Sequence, residues 1–498
     1  MIKLRQNKGF ALTFSLIFIF LIVSFMAVYI MAVVYGNFQA TRAANLKKAY
    51  YVADAGLADA YERIVHSGLT LVPQSAGCTN VNIPSSCTTP YISSTTASTD
   101  NGTYKVGSVT GNYIVSVQYF GSPRTKYVIT SQGFYGTVSR TLQLTIIGKT
   151  IAAYAYWSQT EINPNLGTLW WISGMLTQGP VQTNGTLNII GNPVFTGSPA
   201  IASAPAVPGA VAEAGASPNY KNGTGSDPSS KTTSDPPYIF PNNELTNNAP
   251  AITLPPASTL SNYQTAAGLI LTGASTVIFN SSGTVTVTGK VVNSNCSTTT
   301  TYNNTTISAP TGGVIYVQST GTIPNCHSSA TDGNVTVQGT VKGQLTVAAD
   351  QNIYISGNVQ YNTNPVTSPS TDVLGLVASN NITVQEASAP AQLTVDGVLV
   401  ALQGSFNVDQ YKINPAPISG GLDGANMTQF GSLINYASGC TGVVNSSGQL
   451  VSGWNQLQSY DNRLKTLAPP GFPPLVDSSN NALYVKQNIS ECFSGNCG

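Results

Sequence analysis

The sequence predicts an α+β protein: one long N-terminal helix, then mainly β structure of a β-solenoid-like kind, with a β-sandwich as the alternative. Three observations predict it. The 26 residues from Phe10 to Tyr35 carry no charge, and the pattern after them stays helical to about residue 66. Only 39 of the 498 residues are charged, or 8%, against roughly 25% in an ordinary globular chain. Beyond residue 100, short runs rich in Val, Ile and Thr alternate with Gly and Asn turns. Apolar residues make up 42%, enough for a large core, so the shortage of charge does not mean general disorder. The net charge of +1 argues against a nucleic-acid partner, whose phosphates demand a basic surface.

The helix comes first. Lys3, Arg5 and Lys8 precede the uncharged run, and the next charge is Arg42. At about 1.5 Å per residue the run 10–35 spans the hydrocarbon core of a bilayer with some tilt. The positive-inside rule keeps residues 1–8 in the cytoplasm and exports the chain beyond the span. The run is longer than the roughly 7–15 apolar residues of a secretory signal peptide. Next, Ala40, Ala43, Ala44, Leu46, Ala49, Tyr50, Ala53, Leu57, Ala58 and Tyr61 recur at helical spacing, and no Pro interrupts them. Val65-His66-Ser67-Gly68 then offers a stop, with Gly68 as the cap.

The short basic leader ending Lys8-Gly9-Phe10 resembles the class III leader of type IV prepilins. The stretch Lys47-Lys48-Ala49-Tyr50-Tyr51-Val52-Ala53-Asp54-Ala55-Gly56-Leu57-Ala58-Asp59-Ala60 resembles the signature of PilX-like minor pilins. Together the two motifs cover residues 1–66. The resemblance implies a leader over residues 1–9, cut between Gly9 and Phe10 by a prepilin peptidase, with N-methylation of Phe10. It also implies a membrane stage before assembly, and then packing of helix 10–66 among other pilin subunits, handled by the pilus assembly machinery. Glycine suits the scissile position because a backbone without a side chain fits a cleft at the membrane surface. One position departs from the pattern. Major pilins carry Glu at the fifth mature position, where this chain has Phe14. The resemblance gives that carboxylate the role of pairing with a neighbour's N-terminal amine. Its absence fits a minor subunit at a tip.

The rest of the chain divides by composition. Residues 67–150 read as a small antiparallel β region, with runs at Thr103–Val109, Asn112–Tyr119, Lys126–Ser131 and Val138–Ile147. Residues 151–197 form an aromatic-rich β segment holding Trp157, Trp170 and Trp171. Residues 198–260 turn to Ala, Pro, Ser and Asn and read as a linker or insertion. Residues 261–420 carry the short strands. Among these, Val335/Val337, Leu345/Val347 and Ile353/Ile355 recur at intervals of ten and eight residues. Thr, Asn and Ser can stack in ladders on successive coils where like charges would repel. The runs 372–378 and 393–401 are nearly all apolar, as in strands buried on both sides. Residues 421–498 read as an irregular C-terminal wrap containing Trp454 and Cys residues.

Seven cysteines stand at 78, 87, 296, 326, 440, 492 and 497, all beyond the apolar run. Export would place them in an oxidising compartment. The disulfide candidates are Cys78 with Cys87, Cys296 with Cys326, and one pair among Cys440, Cys492 and Cys497. With no CxxC and only His66 and His327 as histidines, neither a metal site nor a cofactor is expected. Asp350, Asp372, Glu386, Asp396, Asp409 and Asp423 are dispersed and read as turn or capping residues rather than a catalytic pair. No catalytic residue is assigned, and the chain is not expected to be an enzyme.

These readings converge on a minor pilin or pilin-like subunit, held in the cytoplasmic membrane by one span and then carried to a pilus or the cell surface. Its large extracellular β domain would serve assembly, tip or adhesion roles, with a surface or glycan as ligand. Two alternatives stay open: a tip pseudopilin of type II secretion, and a membrane-tethered, carbohydrate-active β-helix enzyme.

Overall fold

In the computed structural model, α1 runs unbroken from Lys8 to His66, 59 residues. The structure describes residues 8–66, 98–106, 109–120, 126–202, 209–221, 239–240, 245–323, 325–326, 330–409, 426–444, 450–473, 475, 483–493 and 496–497. The expected cap Gly68 lies outside these. The described residues form two units. One holds the helix with residues up to 119, 127–146 and 486–498, and the other holds 120–126 and 147–485.

The first half of α1 is bare. Phe25 is 73% exposed and Tyr29 71%, and the large apolar side chains from Leu12 to Phe38 are exposed throughout. The helix is long and apolar enough to cross a membrane. Its second half lies against an antiparallel sheet of β1 (Ser98–Val106), β2 (Val109–Phe120), β3 (Lys126–Tyr135) and β4 (Val138–Gly148), extended by Tyr484–Phe493. The stripe Ala49, Val52, Ala53, Leu57, Ala60 and Ile64 is almost fully buried. Burial of a side chain such as Leu57 or Ile64 stabilises by about 1.5–3 kcal/mol. Two glycines set the approach of helix to sheet. A Cβ at Gly133 would strike the Ala49 carbonyl oxygen and the Ala53 nitrogen, and one at Gly56 would strike the Ser131 hydroxyl.

The stripe differs from the expected one. Ala40, Ala43, Ala44, Tyr50 and Ala58 are exposed, whereas Val52, Ala60 and Ile64 are buried. The face that meets the sheet is set by where backbone can approach backbone, and a tyrosine ring at 50 would hold the two apart.

The second unit is chiefly a closed wall of parallel strands around an apolar core, and an antiparallel pair, Thr284–Val292 and Thr298–Ser308, extends it from the strand Leu269–Phe279. Three ladders build most of it, and a short fourth aligns Trp171, Ile189 and Tyr220. The longest carries a register column Leu269, Ile315, Val347, Leu376, Leu399, Leu433, Tyr156, Val181, Val211, Leu245. The second aligns Val277, Val337, Ile355, Val384 and Val408. The third aligns Val359, Val395, Gln429, Gln458, Thr177 and Phe195. Parallel pairing throughout the ladders rules out the antiparallel sandwich. The eight- and ten-residue intervals also acquire a meaning. Val335 and Ile353 are register neighbours in the second ladder, while Leu345 between them belongs to the first. The short intervals therefore count faces of the wall, and the turn-to-turn repeat is the longer one.

The column order shows that the wall is built from two arms. Residues 156–246 form one arm and residues 269–437 the other, and they meet where Leu433 pairs with Tyr156. Residues 247–268 return between the far ends. On the way Ile252 exchanges hydrogen bonds with the Asn184 amide, and the Gly268 N–H donates to the Val314 carbonyl. Leu254, Leu260 and Tyr263 cover Val314, Tyr316, Val373, Val377, Val398 and Val400 from outside. That cover explains the run Val373–Ala378, buried at every position. The sequence divisions at 151–197, 198–260, 261–420 and 421–498 are thus not separate structures. All four contribute strands to this one unit. The expected irregular tail supplies Asn455–Tyr460 to the wall and Tyr484–Phe493 to the antiparallel sheet.

Candidate functional site

At the seam between the two arms the chain leaves the wall in a short hairpin. Ile162–Asn163 pairs with Gly167–Thr168. Asn163 pins it: its amide donates to the Ser405 hydroxyl (3.2 Å) and the Ser438 carbonyl (2.9 Å), and its oxygen accepts from the Asn165 N–H (2.9 Å). Beneath the hairpin, Glu161 is 2% exposed. Its carboxylate accepts from the hydroxyls of Tyr156 (3.3 Å), Ser158 (2.5 Å) and Ser438 (2.6 Å). Three donors satisfy the buried carboxylate and tie the start of one arm to the end of the other. Burial first, and then the Glu161 charge, hold the Tyr156 hydroxyl well above its usual range, so it stays a donor.

The hairpin tip forms one bank of a groove of about 390 Å³. The other bank is a corner of the wall where asparagines stack. The Asn352 amide donates to Asn334 Oδ1 (3.0 Å), the Asn381 N–H to Asn352 Oδ1 (3.1 Å), and the Ser405 N–H to Asn381 Oδ1 (2.9 Å). Asn380, Gln403, Asn407 and Tyr436 complete the lining, in which no side chain is charged.

The carboxylates singled out in the sequence take up loop backbone. Asp350 accepts from Ser319 N–H (2.7 Å), Asp372 from Gly343 N–H (2.7 Å) and Thr363 N–H (2.9 Å), Asp396 from Tyr361 N–H (2.8 Å), and Asp409 from Glu386 N–H (2.7 Å). Burial, and then the neighbouring Asp409, raise the Glu386 carboxyl. Asp396 is raised to about 7, chiefly by burial, with Asp461 adding and the Tyr361 N–H and Arg463 opposing. Asp461 and Arg463 form a pair at 2.6 Å, both almost wholly buried, and the guanidinium also donates to the Ser370 carbonyl and lies over the Tyr361 ring.

Of the predicted site residues, Gly9 and Phe10 lie in the first turn of α1. Cys296 and Cys326 are joined in a disulfide. Cys492 is disulfide-bonded and stands opposite Cys497 in the strand register. The Cys440 thiol meets the Gly442 carbonyl at 2.8 Å. Cys78, Cys87, His327 and Asp423 lie outside the described residues. Among the described residues no three His, Cys, Asp or Glu gather as a metal site.

The groove is not among the features expected from the sequence. A signal for it exists: Asn334, Asn352 and Asn381 each stand immediately before a buried aliphatic residue that opens a strand.

Comparison with known proteins adds three findings. Residues 122–204 match a family described as Domain of unknown function (DUF4900). No curated protein matches. Among solved structures, the chain is similar to the competence-associated pilin ComZ from Thermus thermophilus, at 12% identity and a TM-score of 0.31, over 90% of this chain and 97% of that one. An overlap that loose bears on neither fold nor function.

Proposed function

We propose that this chain is a minor pilin-like subunit that displays a β-solenoid, with the three ladders as faces of its successive coils. The observation that carries the reading is α1. One unbroken helix offers a bare apolar half and a half packed on an antiparallel sheet, and its first turn holds the Gly9–Phe10 junction at which the basic leader ends. A helix apolar all round needs lipid or other apolar helices as its surroundings. The membrane supplies the first before assembly, and neighbouring subunits supply the second afterwards.

In this reading a prepilin peptidase cuts between Gly9 and Phe10, the part beyond the span is exported, and Phe14 marks a subunit with no neighbour beyond it. The chain works by assembly and contact, not by turnover. The test is mass spectrometry of the protein from a strain with an active prepilin peptidase, together with its recovery in sheared pili. A mature chain beginning at N-methylated Phe10 and present in the sheared fraction is the expected result. An intact Met1, or absence from that fraction, overturns the reading.

A further inference from the structure

We infer that the groove at the seam of the two arms binds a neutral saccharide chain. The inference rests on the display reading above for its setting, since a ligand must reach the wall from outside. The lining carries no Lys, Arg, Asp or Glu. With no cationic side chain the groove offers a polyanion no ion pair, so an uncharged, hydroxylated ligand is favoured.

The amides are also disposed for hydroxyls. Asn381 uses its oxygen on the Ser405 N–H, and Asn407 uses its oxygen on the Thr383 hydroxyl. Both leave an NH2 group with no partner among the described residues. Asn380 is the complement: its NH2 donates to Gln351 (2.9 Å), which leaves its oxygen as an acceptor. Hydroxyls both donate and accept, so a surface offering both kinds of group suits them. Side chains in equivalent places on adjacent parallel strands repeat at about 4.8 Å, close to the length of one sugar ring. Tyr436, 43% exposed, supplies an aromatic face for the apolar C–H side of a pyranose. Leu166 on the hairpin tip supplies an apolar edge opposite the asparagine corner.

The experiment is titration calorimetry on the full chain in a detergent without a sugar headgroup. The probes are neutral oligosaccharides (hexamers of β-linked glucose, N-acetylglucosamine, xylose and mannose), with a heparin hexamer and duplex DNA as charged probes. At least one neutral hexamer should bind, with affinity unchanged between low and high salt. Tyr436→Ala and Leu166→Arg should each weaken it by about tenfold or more, a loss of about 1.4 kcal/mol. Neither position is buried, and unchanged circular dichroism would confirm the fold. The inference is overturned by binding to none of the neutral probes, by binding that both variants leave intact, or by salt-sensitive binding to the charged probes alone. Sugar binding by a chain that never enters pili would sink the subunit reading alone. Entry into pili without sugar binding would sink this inference alone.

Discussion

α1 meets its sheet through notches, whereas the parallel wall is held by columns. At the helix the decisive positions are places where a side chain is missing: Gly56 and Gly133 let backbone approach backbone. In the wall the apolar column from Leu269 to Leu245 shares the burden over ten strands, and the sensitive positions are the polar groups enclosed beside it. One contact fails by overfilling and the other by losing a partner.

The largest effect should come from the wall. Replacing Arg463 by Leu leaves the Asp461 carboxylate buried without its cation. Urea unfolding should show a loss of about 3–5 kcal/mol. An effect within about 1 kcal/mol, the size of an exposed pair, would mean that the pair is not the weak point of the wall. Replacing Gly133 by Val should come next, with a loss of about 1–3 kcal/mol. Hydrogen exchange at Ala49–Ile64 should quicken while the wall's exchange stays as it was. Equal loosening of both units would erase the contrast.

The third prediction concerns pH. The Asp396 carboxyl is raised to about 7, above its unfolded value near 3.9. The folded state therefore holds the proton more tightly between those values. Its contribution is fully present below about pH 4 and is lost as pH rises through about 7. Thermal melts across that window should fall with rising pH, and Asp396→Asn should flatten this part of the fall. A wild-type slope that persists unchanged in the variant would assign it to other groups. The smallest effect belongs to Gly36→Ala in the bare half of α1. Nothing beyond the helix's own backbone lies within 4 Å of the added Cβ, so local helix stability should rise by up to about 1 kcal/mol, seen as slower exchange around residue 36. Destabilisation there would show that the bare half is not free of neighbours.

How much is legible in the sequence depends on the range of the interactions. The helix is, because both its halves write themselves in local sequence: an uncharged run, then small residues at a spacing of three and four. Even so, periodicity alone misplaces Tyr50 and Ala58, since it marks a face but not how close the sheet comes to it. The strands are legible as short runs, and the Cys296–Cys326 pair by nearness. The groove is not, because it joins a hairpin at 163–168 to residues near 352, 380, 405 and 436.

The long helix and the alternation of the strands are written locally, since each depends on neighbours within a few residues, and the scarcity of charge is composition alone. Folding alone sets Tyr156 after Leu433 in one column, returns residues 247–268 along the outside and gives the seam its uncharged groove. Parallel pairing joins strands far apart in the chain. A run of Val and Thr therefore records that it will be buried on one face, and says nothing of which strand will lie beside it.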